Sequence, residues 1–310
     1  MRTQKSRTLL RKIKKKWQFY LFLFFPLVYI ITFKYVPMIG AQIAFRDFNP
    51  ALGIFKSPWV GFEFFKQFLG SYMFERVVKN TITLSLYSLI AGFPIPILLA
   101  LCLNCIKNIF LKKTIQNILY MPHFISTVVI VGIMTQMFNP VVGLYGTICQ
   151  ALTGQIPPDL LSNPAAFPHM YVISGIWQSM GWNSILYFAA LSNVDTSLHE
   201  AAMIDGASRF QRIAYIDFPS ILPTIVIMLI LSSGSIMSVG FEKAFLMQND
   251  LNLTTSEIIS TYVYKVGLSG IGGNNFSYAT AIGIFNSVIN MILLIVVNKI
   301  SQRLGETSLW

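Results

Sequence analysis

The chain has 310 residues, of which 54% are hydrophobic and only 11% charged, and its mean hydropathy is +0.61. A water-soluble domain of that size cannot hide so much apolar side-chain surface, so the composition is that of a membrane protein. The formal net charge of +11 would suit a nucleic-acid partner if it lay along one surface, but its concentration at the start of the chain excludes that reading.

Arg2, Lys5, Arg7, Arg11, Lys12, Lys14, Lys15 and Lys16 crowd residues 1–16, directly before an apolar run. Such a cluster holds the N-terminus of a first span in the cytoplasm. The run at 17–33 is too long and aromatic for a cleaved signal peptide, and no small-residue cleavage site comes after it. Crossing the hydrocarbon takes about 20 apolar residues. Six stretches qualify, at approximately 17–39, 79–106, 114–139, 168–191, 216–247 and 276–300, so the expected fold class is an all-α membrane protein with six transmembrane helices. An even number of crossings puts both termini in the cytoplasm. The segments then facing inward, 1–16, 107–113, 192–215 and 301–310, carry most of the basic excess, as the positive-inside rule requires.

The first outer loop, 34–78, holds Phe45, Phe48, Phe55, Trp59, Phe62, Phe64, Phe65 and Phe68, which suits a helix lying along the membrane surface. Cys102, Cys105 and Cys149 give no disulfide framework. The CxxC spacing of the first two falls near the end of an apolar span, outside the context of a redox motif. The loops at 139–167 and 248–275, rich in Pro, Gly and Asn, read as irregular segments on the external face. The glycine run 270–273 lacks the Lys-Ser/Thr that completes a phosphate-binding loop, and no other segment has that pattern, so ATP hydrolysis by that mechanism is not expected in this chain.

Residues 197–223 form a polar island between apolar runs. Ser197 and Glu200 have capping-box spacing, and Ser208 and Gln211 repeat it. Gly206, between the two starts, sits where a helix C-terminus takes a positive φ. Pro219 and Pro223 bound or kink the next apolar segment. The pattern predicts two short helices joined at a hinge, an elbow over 197–215. Asp205 and Arg209 can form a solvated local pair, and Glu200 can serve simply as the capping partner of Ser197.

Glu200-Ala201-Ala202, Gly206 and Ile216-Asp217-Phe218-Pro219 stand at the spacing of a known cytoplasmic signature, and here the chain resembles the permease subunits of binding-protein-dependent ABC importers. Phe218 replaces the usual leucine with another apolar side chain. Residues 34–45, Ser57-Pro58-Trp59-Val60-Gly61, and stretches within 177–200, 235–243, 261–264 and 280–283 are similar to LplB-type permeases of the sugar branch. The resemblance implies a type I ABC importer permease fold in a bacterial cytoplasmic membrane. A basic N-terminus at 1–16 would precede a transmembrane permease domain at 17–300, with a cytoplasmic tail at 301–310. Glu200, Ala201, Ala202, Asp205 and Gly206 would then form the coupling helix that docks on an ATPase subunit. Implied partners are a second, homologous permease in a heterodimer, two ATPase subunits, an extracellular or periplasmic solute-binding protein, and membrane lipid. The implied substrate is an oligosaccharide, including polysaccharide-derived, uronate-containing ones. ATP and Mg would belong to the partner ATPase, with no cofactor bound by this chain.

Polar side chains inside spans are costly and tend to face the bundle interior or a wet pathway. Gln136 and Asn139 come after Gly132 at helical spacing. Gly175, Ser179, Asn183 and Tyr187 form a stripe, with Gln178 and Trp182 beside it. Ser235, Ser238 and Glu242 recur in the fifth stretch, and Gly283, Asn286 and Asn290 in the sixth. Two readings compete for these residues. Small side chains and amides serve close helix packing, the reading preferred for Gly175, Ser179 and Gly283. Amides and carboxylates beside aromatic rings can instead bind a sugar, the reading preferred for Asn183, Tyr187, Glu242 and Asn290. Glu242 also has the adjacent Lys243 as a candidate partner. His123, His169 and His199 lack metal-ligand spacing and read as interfacial residues. The competing functions are import of another solute, such as a peptide or osmolyte, a passive channel, or a membrane-embedded enzyme. The last lacks paired carboxylates or a Ser/His/Asp set within the spans.

Overall fold

The computed structural model describes residues 15–234, 236–269 and 275–303, and over these the regular secondary structure is all helical, apart from one isolated bridge between Arg46 and Trp59. Basic residues 1–14, Ser235, the glycine run 270–273 and tail residues 304–310 lie outside the described residues.

Helix α1 covers Trp17–Phe45, passing through a π-helical turn at Ile31–Tyr35 and tightening to a 3-10 helix at Ile39–Phe45. None of its most apolar window is buried. Side chains such as Phe22, Phe25 and Phe33 stand free of the rest of the chain, as they can only against lipid or another embedded protein. After α2 (Glu63–Leu69), helices α3 (Tyr72–Gly92) and α4 (Pro94–Asn104) make one span, Tyr72–Asn104. Ser71 caps it by accepting from the Met73 N–H at 3.1 Å.

The third expected span, 114–139, is not one rod. Helices α5 (Ile109–Tyr120) and α6 (Thr127–Met137) belong to segments bent by 97°. Pro122 has no N–H to continue the ladder, and Ser126 restarts it by accepting from Val129 N–H at 3.4 Å. Beyond α7 (Leu144–Thr153), the 25-residue α8 (Phe167–Leu191) has the length of a span. Gln178, Asn183 and several Ser and Gly residues make it less apolar than the others.

The elbow consists of α9 (Thr196–Ile204) and α10 (Arg209–Arg212). A π-helical turn at Ile213–Asp217 joins α10 to α11 (Phe218–Ser233), with Pro219 in the first turn of α11 and Pro223 inside it. The fifth expected span, 216–247, stops there. The chain breaks at Gly234 and resumes as the short α12 (Phe241–Met247). Asn290 on α14 (Phe276–Arg303) supplies the reason: its Oδ1 accepts from Met237 N–H at 2.9 Å and its Nδ2 donates to Ser238 Oγ at 3.0 Å. An amide that satisfies backbone at the break makes a non-helical turn tolerable inside a membrane protein.

Against the six expected spans, four helices among the described residues are long and apolar enough by composition, Trp17–Phe45, Tyr72–Asn104, Arg209–Ser233 and Phe276–Arg303. The bent α5–α6 pair makes a fifth if counted as one.

Helix α8 is the hub, packed on α4, α3, α11 and α5. Its closest approach needs Gly181, where a Cβ would lie 2.0 Å from the Leu119 carbonyl oxygen of α5. Three apolar clusters surround this hub. Leu84, Met134 and Phe167 belong to one, Phe68, Val77 and Ile282 to a second, and Ile97, Leu191 and Ile221 to a third. Lipid tails are as apolar as these side chains, so tight packing and hydrogen bonds hold the helices together rather than withdrawal from water.

The segments expected to be irregular are built. The second contains α13 (Ile259–Gly267), and buried Asn252 donates to the carbonyls of Leu161 and Met247 at 2.8 and 2.9 Å, tying it to the first. Buried Glu257 accepts from Lys265 at 2.9 Å and lies 3.6 Å from Arg76.

Candidate functional site

Two regions gather part of the candidate residues, the elbow and a cavity beside α8. In the elbow, Gly206 has φ +80° and no atom within 4 Å of a built Cβ, so the position demands glycine by backbone conformation rather than by space. Ser208 and Gln211 form the expected capping box: Gln211 N–H donates to Ser208 Oγ at 3.3 Å and Ser208 N–H to Gln211 Oε1 at 2.7 Å.

The first box is different. Asp195, not Ser197, caps α9, accepting from Ser197 N–H at 2.9 Å. That hydrogen bond holds the Asp195 carboxyl below its ordinary range. Ser197 therefore lies inside the first turn, and Glu200 is left exposed rather than spent on a cap. Asp205 and Arg209 form no ion pair. Ala201 is exposed and Ala202 half-buried. Ile204, Phe210 and Tyr215 are each at least 80% exposed.

A polar contact joins the elbow to the spans, beside the packing of Ile213 on the third apolar cluster. His199 Nε2 lies 3.3 Å from Oδ1 of buried Asp217, and Asn104 Nδ2 donates to the same oxygen at 3.2 Å. The expectation for His199 as an ordinary interfacial residue missed this, because its partner is eighteen residues away across the hinge.

The cavity, about 440 Å³, lies between α3, α4, α8, α11 and the break before α12. The stripe of α8 faces it: Gly175, Gln178, Ser179, Asn183 and Tyr187 all line it, with Ser238 opposite. Ser179 Oγ donates to the Gly175 carbonyl at 2.8 Å, and Gln178 Nε2 to the Ile125 carbonyl at 3.1 Å. Tyr187 is 3% exposed and packs with Leu191 and Ile221, so it is core and wall together.

Other expected path residues lie elsewhere. Trp182 stacks on His123 at 4.5 Å, outside the cavity lining. Gln136 is exposed and lines neither cavity, while Asn139 borders a second one of about 240 Å³ and accepts from Val141 and Val142 N–H at 2.9 and 3.0 Å. Asn286 carries a buried Oδ1 with no hydrogen-bond partner, and Asn290 is spent on the break. Glu242 is exposed and does not pair with Lys243, whose ammonium instead donates to the Tyr171 carbonyl at 2.9 Å. Ser235 lies outside the described residues.

The family of binding-protein-dependent transport system inner membrane components matches residues 92–306, more than half of the chain. Protein LplB of Bacillus subtilis (strain 168) is 40% identical over 297 residues, 96% of this chain and 92% of that protein. The polygalacturonan/rhamnogalacturonan transport system permease protein YteP of the same organism is 37% identical over 307 residues, 99% of this chain and 94% of that one. A chain in the crystal structure of a bacterial ABC transporter involved in the import of the acidic polysaccharide alginate is 38% identical, with a TM-score of 0.86 over 95% of this chain and 98% of that one. The chain therefore belongs to the inner membrane components of binding-protein-dependent transport systems, as a multi-pass permease subunit of an ABC importer that is not itself an enzyme.

Proposed function

We propose that this permease forms one half of an oligosaccharide path through a bacterial cytoplasmic membrane, driven by ATPase subunits that dock on the Glu200–Gly206 elbow. The carrying observation is the elbow itself: a helix pair hinged at Gly206 presents Ile204 almost bare, next to the equally bare Phe210 and Tyr215 in the first turns of the Arg209–Ser233 helix. Apolar side chains grouped there need a protein to cover them. Glu200, Ala201, Ala202 and Asp205 lie on the same short helix and its cap, with no competing intramolecular ion pair for either acid.

A second, homologous permease completes the path, two ATPase copies bind ATP and Mg, and an external binding protein delivers the solute. A solved relative in complex with alginate pentasaccharide-bound periplasmic protein supports that last partner. Oligosaccharide is favoured over peptide or osmolyte by the polysaccharide names of the relatives and by the hydroxyl and amide lining of the cavity. Counting α8 and the bent α5–α6 pair gives six crossings, because the polar stripe of α8 faces the cavity and not lipid. Both termini are then cytoplasmic.

The test is purification of the tagged chain from native membranes, identification of the proteins that accompany it, and ATP hydrolysis with and without oligosaccharides. Recovery of a second permease and an ATPase stimulated by a saccharide through its binding protein supports the proposal. A solitary chain, or a complex answering only to peptides, refutes it.

A further inference from the structure

Among the described residues lining the main cavity, a single side chain is charged, Lys243, and no Asp or Glu joins it. Lys243 is 8% exposed. Its ammonium donates to the Tyr171 carbonyl and stands 5.0 Å from the centre of the Tyr171 ring. A lysine ammonium has three N–H donors. One goes to Tyr171, and no carboxylate among the described residues comes to meet the others, since the ion pairs there join Arg76 and Lys265 to Glu257 and His199 to Asp217.

A cation withdrawn from water without a counter-charge is costly to keep. An apolar side chain so buried would be cheaper, so a lysine at this position is a candidate for a functional role. The helix opposite leaves it room: a Cβ at Gly175 would lie 3.3 Å from Lys243 Nζ, so the ammonium lies over bare backbone at the cavity wall. Ser179 and Asn183 continue along the same stripe, offering uncharged hydrogen-bonding groups.

We infer that Lys243 is a substrate-contacting residue that recognises a carboxylate of an acidic oligosaccharide in the cavity, with Ser179 and Asn183 meeting neutral hydroxyls beside it. The inference rests on the transport function proposed above and adds to it the charge class of the solute. A uronate carboxylate supplies the missing counter-charge and accepts the spare N–H donors. A neutral sugar leaves the ammonium uncompensated. The competing role for Lys243 is a staple that holds α12 to α8 through the Tyr171 carbonyl.

The complete transporter, with its own partners, is reconstituted in proteoliposomes and offered oligogalacturonates and alginate oligomers beside their methyl esters, which keep the skeleton and remove the charge. The readout is the acid-to-ester uptake ratio, compared between wild type and variants with the same binding protein. Lys243→Met lowers that ratio about tenfold or more, the scale of a lost charge-assisted contact, and Lys243→Arg retains most of it. If Lys243→Met does not assemble, Gly175→Val carries the test, because it crowds the ammonium without removing it and lowers the ratio in the same direction. Equal losses for acid and ester identify a staple and overturn the inference, as does an unchanged ratio. A wild type that imports only neutral saccharides overturns it while leaving the transport function intact. A wild type that imports no saccharide removes both.

Discussion

His199 Nε2 on the elbow lies 3.3 Å from Asp217 Oδ1 at the root of the fifth span, across the hinge at Gly206. Asn104, at the end of the Tyr72–Asn104 span, donates to the same oxygen. One buried carboxylate thus gathers the elbow and two spans. A force applied to α9 reaches both through it. Asp217→Ala is expected to cut uptake at least several-fold while the ATPase subunit still co-purifies, because the connection and not the docking face is lost. His199→Ala should give a smaller loss in the same direction, and the double variant should be no worse than Asp217→Ala alone. Additive losses would show that the two act separately.

At Gly206 the demand is conformational. A left-handed residue other than glycine costs roughly 1–2 kcal/mol, and Asn tolerates that region better than branched side chains. Uptake should therefore fall in the order wild type, Gly206→Asn, Gly206→Val, with membrane insertion and amount of protein unchanged. A Val variant that transports like wild type would sink the hinge assignment.

Asp195 sets a pH dependence. Its folded carboxyl titrates below its ordinary value of 3.8, because it accepts from the Ser197 amide. A depressed carboxylate contributes stability that is present above its unfolded pKa and is lost as pH falls through the folded value. Protection of the first amides of α9 against hydrogen exchange, corrected for the intrinsic rate, should therefore decline in the acid range below that value. Asp195→Asn should remove the decline while keeping the cap, and Asp195→Ala should remove the protection at neutral pH.

Gly181 is a packing position. A methyl group there meets the Leu119 carbonyl oxygen at 2.0 Å, and forced overpacking costs about 1–3 kcal/mol. Gly181→Ala should lower the temperature at which the detergent-solubilised protein aggregates. Gly132→Ala, where nothing lies within 4 Å, should not.

Asn183 and Tyr187 should part company. Asn183 is exposed to the cavity, so Asn183→Ala should change saccharide-stimulated ATP hydrolysis without loss of assembly. Tyr187 is core, and truncating a buried aromatic costs about 3–5 kcal/mol. Tyr187→Ala should reduce the amount of assembled transporter first.

The elbow was legible in the sequence because its determinants are local: Gly206, Ser208 and Gln211 act within a turn of one another. The stripe of α8 was legible for the same reason, since one helix fixes which side chains share a face. Where a distant residue decides, reading along the chain failed. Hydropathy runs through 216–247 without a gap, and the break at Gly234 depends on Asn290 some fifty positions later. Lys243 reads as a neighbour for Glu242, yet the two alternate in side: one turns into the cavity toward Tyr171 and the other away. Ser197 lost its cap to Asp195 by two residues, an ambiguity inherent in stretches with several capping side chains.

The dependence of the break on Asn290 has a consequence for how the protein is made. As the chain is synthesised, residues 216–247 emerge before α14 exists, and they present an insertion machinery with one apolar run. The Met237 N–H lacks its Asn290 partner at that stage, and lipid offers none. The nascent segment must therefore be held as a continuous helix or shielded until the last span arrives with its amide. Membrane entry of the fifth segment and its final shape are separate events, and a chain truncated before Asn290 would stop between them.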